Sequence, residues 1–134
     1  MYRLEPFKKE HVSKVQINSI DGMTALDMME DYNWEALEKE ESFTGFNDDR
    51  VLAMAGVVAI WPGRSSAWCY IDARVTAQDG PTDMIYIHRQ VKGFLDRIQK
   101  NPDHRRVEAT VRTGFKPGHR WMRLLGFRLE GYAE

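Results

Sequence analysis

The sequence has one cysteine, no long apolar run and almost no net charge. Its 134 residues include only Cys69, so no internal disulfide can form, which favours a reducing compartment and a cytoplasmic location. No apolar run approaches the ~20 residues of a membrane span, and the first residues lack the apolar core of a signal peptide. Nineteen basic against twenty acidic side chains give a net charge of −1, so no overall field attracts nucleic acid or a membrane. We therefore expect one soluble globular domain over residues 1–134.

Charge is nevertheless distributed unevenly along the chain. Residues 27–50 hold nine acids against two bases, and residues 86–128 hold eleven bases against three acids. The simpler interpretation is two solvated surfaces that attract each other, and the alternative is a basic surface for a phosphate-rich cofactor or RNA. Because aromatic residues do not interleave with the basic ones in an RNA-binding pattern, nucleic acid is the weaker alternative.

Hydrophobic periodicity predicts strands first and then an alternation of strands and helices. Strands are predicted at 2–6, 42–46, 50–61, 66–75, 105–112 and 127–132, and helices at 8–20, 24–39, 81–100 and 117–125. Pro62-Gly63 fits the centre of a type II turn, and Gly126 fits a left-handed cap at the end of the last helix. This order predicts an α+β domain (an α/β three-layer arrangement) with a mixed sheet.

Side-chain alternation also predicts which residues face the interior. In the strand at 66–75, Trp68, Tyr70 and Asp72 are expected on one face, and Ala67, Cys69 and Ile71 on the other. Trp121, Leu124 and Leu125 are expected to point inward from the last helix. We expect Cys69 to be a buried small hydrophobe rather than a nucleophile.

The C-terminal third carries a combination that resembles a known family. Arg106-Val-Glu-Ala-Thr-Val-Arg112, followed by Gly118-His-Arg-Trp-Met-Arg-Leu-Leu-Gly-Phe127, is similar to the second half of the GNAT superfamily of acetyl-CoA-dependent N-acyltransferases. Trp61-Pro-Gly-Arg-Ser-Ser-Ala-Trp68 resembles a segment of GNAT-like proteins of tailed bacteriophages. The resemblance implies a mostly antiparallel central sheet flanked by helices. It also implies that the family's last strand is missing before Glu134 or that a partner chain supplies it.

In that family a glycine-rich loop before the long helix holds the pyrophosphate of acetyl-CoA, and the matching segment here is Thr76–Asp83. Pro81 removes one N–H donor from this loop, and Asp79 and Asp83 place negative charge where the anion would lie. The asparagine that commonly contacts the cofactor after the fifth strand aligns with Phe115, and Arg112 and Thr113 are the nearby candidates to substitute for it. The residues that the resemblance assigns to cofactor binding are Ile71, Asp72, Ala73, Gln78, Gly80, Thr82 and Arg112.

The resemblance also indicates three candidate acid–base residues. The family's general-acid tyrosine aligns with Met122, whose thioether cannot donate a proton, and His119 one turn earlier is the nearest candidate. Asp72 and Glu108 are candidate bases, because the strands that carry them splay apart in the family. Each also has a structural interpretation: His119 as an exposed residue at a helix start, and the two carboxylates as outward residues of a solvated strand face.

Two functions follow from the resemblance. The first is acetyl transfer from acetyl-CoA to an amine. The alternative is a non-catalytic phage virion or accessory protein, in the host cytoplasm or the virion, that uses the fold to bind a structural partner or a second copy of itself. The four histidines are scattered without the spacing of metal ligands, so no metal site is predicted.

Overall fold

The computed structural model describes residues 1–16, 33–78, 81–109 and 116–128, and it places one mixed sheet between two layers of helices. The strands are β1 (Tyr2–Pro6), β2 (Ser42–Asn47), β3 (Arg50–Trp61), β4 (Arg64–Ile71) and β5 (Arg106–Glu108). The helices are α1 (Trp34–Glu38), α2 (Ala73–Gln78), α3 (Pro81–Ile98) and α4 (Lys116–Leu124), with 3₁₀-helical turns at Lys9–Lys14 and Pro102–His104. The strands lie in the order of the sequence, and all pairs are antiparallel except β4 with β5. The predicted α+β fold with a mixed, mostly antiparallel sheet is confirmed.

Strand β3 occupies the centre of the sheet and pairs with both β2 and β4. Its register with β2 shifts between Gly45 and Phe46, so Leu52 has no opposing residue in β2 and forms a β-bulge. The carbonyl of Leu52 accepts the N–H of Asp72 at 2.8 Å. This bond extends the contact between β3 and β4 by one residue, to the point where α2 begins.

The two faces of the sheet carry separate hydrophobic cores. The first core lies under α3 and α4, and the second lies under the 3₁₀-helical turn at Lys9–Lys14 and α1. In β4 the side chains alternate between the two cores, as predicted: Ala67, Cys69 and Ile71 contact the first core, and Trp68 and Tyr70 contact the second.

Positive φ angles confirm two predicted chain reversals. Gly63 has a φ of 87° in the turn between β3 and β4, and Gly126 has a φ of 103° just after α4. Glycine adopts this left-handed region without steric cost, so it occurs at such turns and helix caps. The long strand at 50–61 is also confirmed in full, and the long helix is confirmed as Pro81–Ile98.

The structure corrects three of the predicted elements. The strand predicted at 66–75 ends at Ile71, because Asp72 accepts an N–H from the first turn of α2 and so starts a helix there. The helix predicted at 8–20 is a 3₁₀-helical turn as far as Lys14, and residues 17–32 lie outside the described part of the chain. The side chain of Leu124 is 68% exposed rather than inward, whereas its neighbour Leu125 is buried as expected.

The remaining predicted elements are described only in part. The helix predicted at 24–39 is seen from Trp34 to Glu38, and the strand predicted at 105–112 is seen as Arg106–Glu108. Residues 127 and 128 have no strand pairing, and the rest of the strand predicted at 127–132 lies outside the described residues. Among the described residues, no helix combines the length and the apolar character needed to cross a bilayer.

The described acidic and basic helices lie on opposite faces of the sheet. The acidic helix α1 packs on the second core, whereas the long helix α3, with the basic residues that follow it, covers the first core. One contact joins the two charged segments, since Nε2 of His104 lies 2.8 Å from the carboxylate of Glu41. The attraction expected between the acidic and basic surfaces stays a prediction.

Glycine positions in β3 and α3 give a stability prediction with a matched control. A Cβ at Gly56 would lie 2.7 Å from the carbonyl oxygen of Glu41 and 2.7 Å from the Cβ of Ser42, whereas at Gly93 the nearest atom is the flexible Arg97 guanidinium at 3.6 Å. We expect Gly56→Ala to lower the free energy of unfolding by about 2 kcal/mol because β2 must move. We expect Gly93→Ala to raise it by about 0.5–1 kcal/mol because glycine is a poor helix former. Urea unfolding measures both, and equal effects of the two substitutions would contradict the packing described.

Candidate functional site

Among the described residues, β5 pairs with only the first part of β4. The parallel ladder joins Arg64–Ser66 to Arg106–Glu108, and β4 then continues to Ile71 with no β5 residue beside it in the described part of the chain. At about 3.3 Å per residue, the edge of β4 beyond the ladder is about 16 Å long. No described residue pairs with this edge, and we refer to the space beside it as the opening.

The N-terminal turn of α3 lies at the same end of the sheet as the end of β4, and Asp83 anchors it there. The Asp83 carboxylate accepts hydrogen bonds from Arg50 at 2.7 Å, from Asn47 at 3.3 Å and from the hydroxyl of Tyr2. Its side chain is only 4% exposed. The charge expected at this helix start is therefore turned inward and paired with Arg50, while Asp79 lies outside the described residues.

Asp72 lies directly after β4 as a buried, fully engaged carboxylate. Its Oδ1 accepts the backbone N–H of Arg74 at 2.9 Å, which is the contact of a helix N-cap, and its Oδ2 accepts the N–H of Gln16 at 3.0 Å. The Arg74 guanidinium donates to both oxygens at 2.9 and 2.8 Å. Burial alone would raise the pKa of Asp72, but the hydrogen bonds from Arg74 and Gln16 outweigh it and hold the pKa below its usual value.

Two backbone donors assigned to the cofactor already have protein acceptors. The N–H of Asp72 donates to Leu52 at 2.8 Å, and the N–H of Ala73 donates to the carbonyl of Gln16 at 2.9 Å. Ile71 is partly buried and its side chain contacts the first core. These contacts stabilise the junction between β4 and α2.

Glu108 lies at the other end of the opening. Its carboxylate is bound by the Arg64 guanidinium through two hydrogen bonds of 2.7 and 2.8 Å, and Arg106 adds a third at 2.8 Å. The hydrogen bonds from Arg64 and then from Arg106 lower the pKa of Glu108 to about 2. Because Glu108 is opposite Ser66, six residues before Asp72, the two candidate bases lie about 20 Å apart along the sheet. The structure does not bring them into one site.

The other assigned residues are placed less completely. His119 lies in the N-terminal part of α4 and Gln78 at the end of α2, whereas Gly80 and Arg112 lie outside the described residues. Thr82 is exposed in the first turn of α3. The acid–base roles of Asp72, Glu108 and His119 and the cofactor contacts stay predictions.

Helix α4 is held against α3 by a specific polar contact. The indole N–H of Trp121 donates to Nδ1 of His88 at 3.0 Å. Met122, the residue aligned with the family's tyrosine, packs against the first core. This contact fixes the helix that carries His119 next to the helix that begins at the opening.

Sequence reasoning did not single out Arg50 and Arg74, the partners of the two buried aspartates. Arg74 is two residues after Asp72, so the short Asp-x-Arg spacing at the end of a strand could have predicted the ion pair between them. Arg50 and Asp83 are far apart in the sequence, and no local pattern predicts their contact.

A second buried polar group was also not predicted. His104 places its Nδ1 2.5 Å from Oγ of Ser65 and its Nε2 2.8 Å from the carboxylate of Glu41. Ser65 has no solvent exposure, so this serine–histidine–glutamate arrangement cannot reach a substrate and instead joins β4, the second 3₁₀-helical turn and the residues before β2.

The described residues offer neither a reactive thiol nor a metal site. Burial raises the pKa of the Cys69 thiol to about 12, which makes it a poor nucleophile. The described residues contain no group of three or more metal-binding side chains.

An open cleft of about 610 Å³ lies at the end of the sheet where β3 and α2 begin, lined in part by Lys14, Asp48, Asp49, Arg50 and Arg74. Cations and carboxylates are mixed on its walls, and Arg50 and Arg74 are already paired with Asp83 and Asp72. The cleft therefore lacks the single sign of charge that would mark a phosphate site.

Comparison with solved structures finds the same fold in several acetyltransferases. The chain is similar to an N-acetyltransferase from Staphylococcus aureus Mu50 (TM-score 0.61, 15% identity, 98% of this chain and 86% of that chain). It is similar to a GNAT-family acetyltransferase from Bacillus anthracis (TM-score 0.64, 15% identity, 98% of this chain and 82% of that chain). A third is a Bacillus subtilis acetyltransferase in complex with CoA (TM-score 0.63, 12% identity, 97% of this chain and 77% of that chain).

These likenesses confirm the GNAT-like fold expected from the sequence. No protein-family model matches the chain, and no curated protein matches it by sequence. At these identities the comparison concerns the fold alone, and the expected likeness to bacteriophage proteins stays a prediction.

The engagement of Asp72 gives a prediction on the pH dependence of stability. Because its pKa is lowered in the folded state, its stabilising effect is present above its ordinary value of 3.8 and is lost as the pH falls below it. We expect Asp72→Asn to lower the free energy of unfolding by about 1–2 kcal/mol at pH 7, and this difference from the unmodified protein to shrink towards pH 3. Urea unfolding at both pH values measures it, with Asp49→Asn on the exposed turn as the control. A difference that is the same at both pH values would contradict the ion pair.

Proposed function

We propose that this protein transfers an acyl group from acyl-CoA to an amine, with the acyl-CoA lying against the open edge of β4. The observation that supports this most strongly is that the described part of β5 pairs with β4 over three residues only and leaves the edge from Ala67 to Ile71 without a described partner strand. A strand edge exposes backbone N–H and C=O groups, and a ligand that carries amide groups can pair with them as an added strand would. The pantetheine arm of CoA carries two such amides.

The charges around the opening are compatible with an anionic ligand. The one described carboxylate in the first turn of α3, Asp83, is buried and paired with Arg50, so it does not face the ligand as an unpaired charge. The N-terminal end of an 18-residue helix has N–H groups and a partial positive charge that favour phosphate. A solved structure with the same fold holds CoA, which shows that such a sheet is able to take this ligand in that protein.

In this proposal the protein accelerates the reaction mainly by holding the amine and the thioester in position for attack. The amine attacks the thioester carbonyl, the C–S bond breaks as the C–N bond forms, and the leaving thiolate takes up a proton. Holding the two substrates in line can by itself supply about 7–11 kcal/mol of the barrier. Asp72 and Glu108 are both held as carboxylates by arginine, and such paired groups with lowered pKa values are weak bases near neutral pH.

A second function is favoured by one observation. The N–H groups of Asp72 and Ala73, which the resemblance assigns to the cofactor, are occupied by Leu52 and Gln16. A non-catalytic protein that uses the fold to bind another protein would not need these two N–H groups for a cofactor. The two functions differ in whether acetyl-CoA is consumed.

The pH profile of acyl transfer tests the proposal and the acid–base roles together. CoA thiol release from acetyl-CoA is followed with a thiol reagent against a panel of amino acids, polyamines and peptides. We expect release to require both protein and amine, and kcat/KM to rise with pH up to the ammonium pKa of the acceptor, about 8–10, with no inflection between pH 5 and 7.

Asp72→Asn and Glu108→Gln are each expected to lower kcat/KM less than about 10-fold, since loss of a true general base costs about 100-fold or more. A loss of kcat/KM larger than about 10-fold in either variant, with an unchanged KM and an intact fold, would show that the residue acts as a general base. In the same assay, a loss larger than about 10-fold in His119→Ala would support a general-acid role for His119, and a smaller loss would exclude it. No release with any acceptor would overturn the transferase proposal and favour the non-catalytic one.

A further inference from the structure

The hairpin between β3 and β4 ends in an apolar surface with no partner among the described residues. Strand β2 pairs with β3 only as far as Gly56, and the hairpin continues beyond it. Four successive apolar residues, 59–62, are exposed there, with Ile60 at 44% and Trp61 at 54% of their accessible surface. Turns between strands are normally polar, so a run of this kind points to a contact surface. We call residues 59–62 the hairpin tip.

Contacts with Arg64 and with β5 hold the hairpin tip in place. The Arg64 guanidinium lies over the Trp61 ring at 4.5 Å from its centre, and the same guanidinium is fixed by two hydrogen bonds to Glu108. The N–H of Arg106 donates to the carbonyl of Gly63 at 2.8 Å, which ties the turn to β5. A tryptophan that is already immobilised loses little entropy on binding, and such residues dominate the energy of protein interfaces.

Charges of opposite sign flank the tip on its two sides. On the β2 side, the carbonyl of Glu41 accepts the N–H of Val57 at 3.0 Å, which places the exposed Glu40 and Glu41 beside the hairpin. On the β5 side, the pairing of Arg106 with β4 places the exposed Arg105 and Arg106 beside it. The tip therefore has an acidic flank and a basic flank, with the apolar residues between them.

We propose that the hairpin tip is the contact surface of a symmetric homodimer. A two-fold axis perpendicular to the sheet, passing just beyond the tip, sets two hairpins end to end and brings the acidic flank of each chain opposite the basic flank of the other. The arrangement is isologous and closes after two copies. A partner with a single sign of charge, such as nucleic acid, would meet repulsion from one flank. This proposal does not depend on acyl transfer.

Sedimentation velocity over a concentration series, with paired arginine substitutions, tests the surface. Because the contact is small, we expect a dimer whose fraction rises with concentration. Ile60→Arg at the tip should raise the dimer dissociation constant at least about 30-fold, the loss typical of a central anchor. Ile85→Arg, at a residue of similar exposure (50%) on α3, should leave it unchanged. A chain that stays monomeric at every concentration, or a dimer that Ile60→Arg does not weaken, would overturn the proposal.

A charge exchange between two variants tests the symmetry and keeps the test valid if Ile60→Arg misfolds. In the two-fold arrangement, Glu40→Lys sets a lysine on the acidic flank against the partner's basic flank, and Arg105→Glu sets a carboxylate on the basic flank against the partner's acidic flank, so each variant alone should dimerise more weakly. An equimolar mixture should form a heterodimer at lower concentration than either variant forms a homodimer, because unlike charges then face each other at both contacts. Equal behaviour of the mixture and the separate variants would contradict the two-fold arrangement. Binding of a fluorescent single-stranded oligonucleotide that is lost in Trp61→Ala would instead assign the tip to nucleic acid.

Discussion

The burial of β3 on both faces is the constraint on which the rest of the structure depends. Residues Val51–Val57 are buried, and a strand buried on both sides needs a helical layer on each. The first core binds α3 and α4 to one face, and the second binds the 3₁₀-helical turn and α1 to the other. The bulge at Leu52 adds a direct link to Asp72, so the same strand also sets where β4 ends. The position of the opening beside β4 follows from this central strand.

Two buried aspartates connect that framework to the candidate site, and both are paired with arginine. Asp72 joins the end of β4 to α2 and to Gln16, and Asp83 joins the start of α3 to β1 and to the turn before β3. Leaving either buried carboxylate unpaired would be costly, so Asp72 and Asp83 act first as structural contacts. The site that results is a strand edge and a helix start rather than a cluster of acid–base groups. Such a site favours catalysis by orientation of the substrates over catalysis by an acid or a base.

The sequence allowed prediction of the elements whose signal is local. The long apolar run of β3, the helical spacing in α3, and the glycines at 63 and 126 were all read correctly, because a strand, a helix or a turn each imposes its own short pattern. The end of β4 was missed, because the cap by Asp72 depends on contacts with Gln16 and Leu52 that are distant in the sequence. The roles of Asp83 and Glu108 were missed for the same reason. Whether a carboxylate is exposed or paired depends on residues that only the fold brings near, such as Arg50 and Arg64.

The measurement that tests the account most directly is calorimetric titration of the protein with CoA and with acetyl-CoA. If the open edge of β4 and the start of α3 form the ligand site, both ligands should bind with similar affinity and a stoichiometry of one per chain, and each should raise the melting temperature. Both effects should be unchanged by Ile60→Arg at the hairpin tip, which lies at the other end of the sheet. The absence of both heat and thermal stabilisation at millimolar ligand would contradict the account, because the opening would then be a feature of the fold without a ligand.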